Sequence, residues 1–359
     1  MIFRRIWERY FLKEVLKIFG LFIFCFYGLY IIIDYSSRSA THYAGKFTFL
    51  EMAKLYLFIF IQRMDILIPF ALVVATVKTL CSLNVRNEIV ALMSSGVKLK
   101  RLMRPFILVS LFFVGVLYVN EQFFLPPAYR QINFLKDKHN DDETREDQYK
   151  NIQSLEVIDK GQIIYHGYDN ARKSFFDVYW IISLDDIYRI KYLFPYEGVP
   201  RGKFVDHFTR NEQEELLLSD THETLDFPRM RFNPKKLRQS IINPREESIT
   251  SLWDHLPPAQ EKFTDAKATT LTSFYHKLVM PWLCLLAVIG PAPWCLKFTR
   301  QLPVFLIYLV SMLTMVTYYL IMNSAIIIGE NQVFSPIIAI GLPFSLYFFF
   351  FSWKYYKLS

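Results

Sequence analysis

Six apolar runs constrain this chain more than any other feature, because a helical crossing of a bilayer needs about 20 mostly apolar residues and leaves no backbone polar group unpaired. They cover residues 18–33, 55–83, 105–120, 274–296, 302–321 and 333–353. The first reaches bilayer length with a turn of the basic, amphipathic stretch before it. It has no small-x-small cleavage site, and Cys25 follows Phe-Ile-Phe, so it reads as an uncleaved span and not as a signal peptide or lipoprotein leader. With 53% hydrophobic and 21% charged residues in 359, apolar spans must alternate with a polar domain.

Basic residues orient the spans. Arg4, Arg5, Arg9, Lys13 and Lys17 precede the first, Lys98, Lys100, Arg101 and Arg104 lie between the second and third, Lys297 and Arg300 follow the fourth, and Lys354 and Lys357 follow the sixth. All fall on one side of a six-span topology, which predicts cytosolic N- and C-termini and an extracytoplasmic segment 121–270. The net charge of +8 is thus a matter of membrane orientation, and no nucleic-acid partner is expected. Cys25, Cys81, Cys284 and Cys295 lie in or beside apolar runs, so they read as small packing residues with no Cys-x-x-Cys site.

Three regions follow: an N-terminal membrane half at 1–120, a polar domain at 121–270 and a C-terminal membrane half at 271–359. Residues 128–150 read as a helical continuation and a charged connector. From Ser154 the pattern turns to strands: LEVIDKGQIIYHGY is a hairpin with Gly161 where positive φ is needed, and FFDVYWIISLDD, YRIKYLF and EELLLSD follow. Short strands without helices between them predict an antiparallel sandwich or jelly roll. Residues 178–182 are apolar on both faces, as in a buried central strand or a face open to an apolar ligand. Residues 248–256, with Leu252 and Trp253, form a short amphipathic segment ended by Pro257-Pro258.

Two sets of residues stand out as candidate sites. In NVRNEIVALMSSGVKLKRLMR, residues 84–104, Asn84 is placed to cap a helix over 85–95 that Gly96 ends in a left-handed conformation. Glu88 is the only acid of this stretch, and Ile89, Leu92, Met93 and Arg86 fall on related faces. The stretch is either a passive loop whose Lys and Arg fix orientation or a docking helix. Arg63 and Asp65 interrupt the second apolar run shortly before a break expected at Leu67-Ile68-Pro69. They are either functional charges or an interfacial pair that snorkels to water. Neither a G-x-x-x-x-G-K-[ST] phosphate loop, nor H-E-x-x-H, nor G-x-S-x-G is present, so no cofactor, metal or catalytic set is expected.

Three spans, a strand-rich outside domain and three more spans, with a polar hinge between spans two and three, resemble the LptF/LptG family of lipopolysaccharide export permeases. The resemblance covers essentially the full length. Its most specific block is LIPFALVVATVKTLCSLNVRNEIVALMSSGVKLKRLMRP, supported by SLWDHL, HKLVMPW and the series Tyr318-Tyr319, Gly329, Pro336 and Pro343. It implies a permease with no enzymatic activity of its own, in six transmembrane helices (3+3) with an inserted extracytoplasmic all-β jelly-roll-like domain, in the bacterial inner membrane. It also implies a second homologous six-span permease, a cytosolic ABC ATPase homodimer and a periplasmic bridge that receives lipopolysaccharide. The hinge helix, with Glu88, Arg86, Ile89, Leu92, Met93 and Gly96, would sit in a groove of the ATPase, and Glu88 would pair with an arginine there. Arg38 and Arg63 are candidates for the lipid headgroup, with Asp34 and Asp65 restraining them when no lipid is present. The Asp34 and Arg63-Met64-Asp65 pattern leans towards the LptG type. A rival reading is a membrane-anchored enzyme acting on cell-envelope lipids with the β domain as its catalytic module. A permease of the lipoprotein-release type would place the outside domain after span one.

Overall fold

The computed structural model describes residues 5–38, 48–139, 153–156, 161–169, 172–195, 198–210, 215–228, 230–232, 244–254, 256, 265–297 and 303–357. The chain divides into two compact units, one comprising Met1–Tyr43, Met52–Tyr129 and Glu247–Ser359, the other Ala44–Glu51 and Arg130–Glu246. The expected domain borders at 121 and 270 both fall inside helices of the first unit.

Among the described residues, that first unit carries six helices long and apolar enough to cross a membrane. Span one is α1 (Ile6–Arg38) and span two is α2 (Phe49–Val85), followed by two short helices, α3 (Glu88–Ser94) and α4 (Leu99–Leu102). Span three begins as α5 (Arg104–Val119), widens into a π-helical turn at Asn120–Phe124 and continues as α6 (Leu125–His139). After α7 (Ile249–Asp254), span four is built in pieces: α8 (Asp265–Val279), a 3₁₀ turn (Met280–Trp282), α9 (Leu283–Ile289) and α10 (Ala292–Cys295). Spans five and six are α11 (Val304–Glu330) and α12 (Pro336–Tyr356).

Proline decides where these helices run on and where they break. The break expected at Leu67-Ile68-Pro69 does not occur: α2 passes through Pro69 as an α-helix. In apolar surroundings a break would free several backbone groups, whereas Pro69 removes one hydrogen bond. In span four, Pro281 and Pro293 stand in the first turns of their pieces, where a missing N–H leaves no bond unmade.

Burial ranks the spans. Spans two and four are each 72% buried along their most apolar stretch, against 6% for span one and 22% for spans five and six, so two and four form the core. Leu72, Leu80, Phe106, Leu283 and Met322 belong to that one continuous core. Gly329 is held close to Thr272, since a Cβ there would lie 2.8 Å from the threonine Oγ1 and 3.0 Å from its Cγ2. A glycine at this point lets α8 and α11 approach closely.

The second unit holds one antiparallel meander: β1 (Gln153–Glu156), β2 (Gln162–Asp169), β3 (Ser174–Ser183), β4 (Asp186–Phe194), β5 (Arg201–Arg210) and β6 (Leu216–Asp226), in sheet order β1-β2-β3-β4-β5-β6. The inserted all-β domain is therefore present. Among the described residues its strands make a single antiparallel sheet in which each strand pairs with its sequence neighbour. Gly161, at φ +92°, enters β2 from the expected hairpin, and a Cβ there would meet the Ile181 carbonyl oxygen. One face is buried: Val178, Ile190, Leu193 and Val205 are fully enclosed with Trp180 and Phe227. Tyr179 and Ile181, on the opposite face of β3, are half-buried, so 178–182 is a central strand with one closed face.

Gly329→Ala is expected to cost about 1–3 kcal/mol by overpacking the α8–α11 crossing. Thermal unfolding in detergent checks this, and an unchanged midpoint would mean that Thr272 yields freely.

Candidate functional site

The helix expected over 85–95 is shorter and starts later. Span two continues through Val85, and Asn87 in the left-handed region (φ 58°) turns the chain into α3. Asn84 does not cap this helix. Its side chain amide donates to the carbonyls of Cys295, at 2.8 Å, and Lys297, at 3.2 Å, tying the end of span two to the end of span four. Those carbonyls lie at a helix C-terminus, where no intrahelical donor remains, and this outbids the cap role. The exit follows expectation: Gly96 is left-handed (φ 85°), its N–H donates to Met93 O and that of Val97 to Leu92 O, which completes a Schellman motif.

Within α3, Ile89 is fully enclosed in the membrane-unit core and Leu92 packs partly against it. Val90, Met93 and Arg86 are exposed, so Arg86 and Met93 do not share the buried face with Ile89 and Leu92. Glu88 lies 3.9 Å from Arg86 across solvent, with a third of its side chain exposed. A contact of that length between exposed groups is worth little, which leaves the carboxylate free to exchange partners.

The proposed headgroup residues are not gathered into one site. Asp34 is buried and accepts from the Tyr56 hydroxyl at 3.3 Å, while the Tyr27 hydroxyl donates to the Tyr56 carbonyl, so these groups fasten α1 to α2. The Arg38 side chain lies outside the described residues. Arg63 is exposed, whereas Oδ1 of Asp65 is buried and has no hydrogen-bond partner. No ion pair joins Arg63 to Asp65, as expected for residues two apart on a helix, which point to nearly opposite sides.

Sequence reasoning missed a buried ion pair of the unit. Glu121 Oε2 and Lys277 Nζ are 2.8 Å apart, with side chains only 11% and 5% exposed. Three successive polar residues of the π turn reach three helices. Asn120 donates to the Ile61 carbonyl in α2 at 3.1 Å, Glu121 pairs with Lys277 in α8, and Gln122 exchanges hydrogen bonds with the side chain and backbone of Thr250 in α7. The Tyr118 hydroxyl, one turn earlier, donates to the Leu278 carbonyl at 2.5 Å. A π turn carries an extra residue, which swings consecutive side chains apart and suits such a junction. The available signal was a lysine inside one apolar run and a lone acid at the end of another.

On the β unit the charged groups make cross-strand ties. Asp177 bonds Arg189 at 3.1 Å and His166 at 3.2 Å, and His207 bonds Asp186 at 2.7 Å while stacking on Tyr188. His207 thus turns to Asp186 on the facing strand and not to its neighbour Asp206. The Arg201 guanidinium holds the exposed Asp226 carboxyl below the usual range.

The model of one family, described as lipopolysaccharide export system permease LptF/LptG, matches residues 9–357. That model covers both types together and does not separate LptF from LptG. No curated protein matches the chain.

Lys277→Ala strands a buried carboxylate and is expected to destabilise the protein by about 3–5 kcal/mol, whereas replacing both partners by Met and Leu should restore most of the loss. Thermal unfolding of the single and double variants in nanodiscs decides it. A single variant as stable as the parent would show that the pair contributes nothing.

Proposed function

The chain belongs to the LptF/LptG family of lipopolysaccharide export permeases, a transporter family and not an enzyme family, and on that premise we propose that it is one permease of an ABC-type exporter driven by a separate ATPase. The lack of a G-x-x-x-x-G-K-[ST] phosphate loop supports an ATPase on another chain. In this reading the protein is a multi-pass inner-membrane subunit with cytosolic termini and a periplasmic β unit. It pairs with a second six-span permease above a cytosolic ATPase dimer.

The observation that carries the reading is α3. It is seated through Ile89 in the membrane core and closed at both ends by left-handed residues, Asn87 and Gly96, while Val90, Met93 and the Glu88 carboxylate stay accessible. A helix so held moves as a rigid knob, so a push on its outer face passes into spans two and three. Glu88 supplies the charge to meet an ATPase arginine. Support for the second permease comes from spans one, five and six, whose apolar faces are largely uncovered. Lipopolysaccharide would enter among those faces, with Arg63 and Arg38 answering the headgroup phosphates. For handover to a periplasmic bridge, β6 offers an outer sheet edge with Leu216, Leu217 and Leu218 exposed, the kind of edge that accepts an added strand.

Glu88→Arg is expected to abolish co-purification of the ATPase and to reduce ATP-driven lipopolysaccharide release at least tenfold, with insertion and thermal stability unchanged. Retained co-purification and normal export would refute the docking role of α3.

A further inference from the structure

The turn of α2 around Asp65 is rich in acceptors and poor in donors. Asp65 Oδ1 is buried with no partner, and so is Oδ1 of Asn120, whose residue is only 3% exposed. The Asn120 amide donates to the carbonyl of Ile61, the residue one turn before Asp65, so the asparagine lies against this same turn. Pro69, one turn after Asp65, has no N–H, so the Asp65 carbonyl lacks its helical donor as well.

Charge adds to the imbalance. The Asp65 and Glu121 carboxylates are close enough to repel each other, and the buried ammonium of Lys277 is taken up by Glu121 at 2.8 Å. Arg63, on the same helix, acts on Asp65 only at a distance: it is exposed and stands roughly 200° around the helix from it. Arg63 from α2, Asn120 and Glu121 from the π turn, and Lys277 from α8 through Glu121 are the polar groups that bear on Asp65. Glu121 repels it and no side chain among them donates to it; the hydrogen bonds it receives come from backbone N–H groups, its own and that of Ile66, and Oδ1 is left without one.

We propose that Asp65 is a proton-binding site within the membrane unit, its carboxyl holding one proton while Glu121 and Lys277 stay paired. Protonation answers both deficits at once. It removes the uncompensated charge and turns an acceptor-only carboxylate into an O–H donor for the oxygens beside it. The ligand comes from water and returns to it, and nothing is oxidised or reduced. Any movement of α2 that opens this turn to water, or brings a cation to Asp65, releases the proton. The proposal does not depend on the exporter reading.

The test is infrared spectroscopy of the full-length protein in phosphatidylcholine nanodiscs at near-neutral pH, in H₂O and D₂O. At near-neutral pH the parent is expected to show a protonated-carboxyl C=O band that shifts in D₂O. Asp65→Asn, an isosteric neutral replacement, is expected to fold and to lose the band. No such band in the parent overturns the proposal whether or not any variant folds. So does a band that survives Asp65→Asn.

Discussion

The membrane unit depends on one buried ion pair. Glu121 and Lys277 come from the two halves of the chain that the β insertion separates, and neither charge would be tolerable alone in an apolar interior. The pair is therefore less a source of net stability than a condition on assembly. If spans three and four meet in another register, two charges are stranded. The π turn makes the condition stricter, since Asn120 and Gln122 must find Ile61 and Thr250 at the same time. The Tyr118–Leu278 bond extends the same seam along the helices.

At the far end of span two a second polar tie has the same logic. Asn84 supplies donors to the carbonyls that end span four, while Ile89 plugs the short helix beyond it into the core. Spans two and four, the two most buried, are thus fixed to each other beside the element through which force would enter. A displacement of α3 is passed to packed side chains and hydrogen bonds. Spans one, five and six pack against this frame through residues such as Phe11, Met322 and Ile340 and keep exposed apolar faces on the other side.

Hydrophobic run length and charge placement made the six spans and the inserted strands legible in the sequence, because a bilayer and a pleat each impose a period that composition must obey. Gly96 was legible for the same reason: a left-handed helix exit is a local requirement. Other features were not local. Asn84 has the sequence context of a cap, but its partners lie more than 200 residues away, at Cys295 and Lys297. Asp65 looks from sequence like one half of a pair with Arg63, yet helix geometry sends the two apart and buries only the acid's Oδ1. Glu121 and Lys277 each look like residues at the edge of a span, and their meaning appears only when the two helices are side by side.

The plain order of the β sheet bears on how such a chain is made. Every strand pairs with its neighbour in sequence, and the enclosed face is completed by Phe227 and Met230 from the same unit. Contacts this local form quickly and need nothing from later in the chain. The insertion can therefore reach its native structure during synthesis, before the fourth span has left the ribosome. Lys277 follows the domain in the chain, so the two membrane halves can be joined only after the insertion has been made.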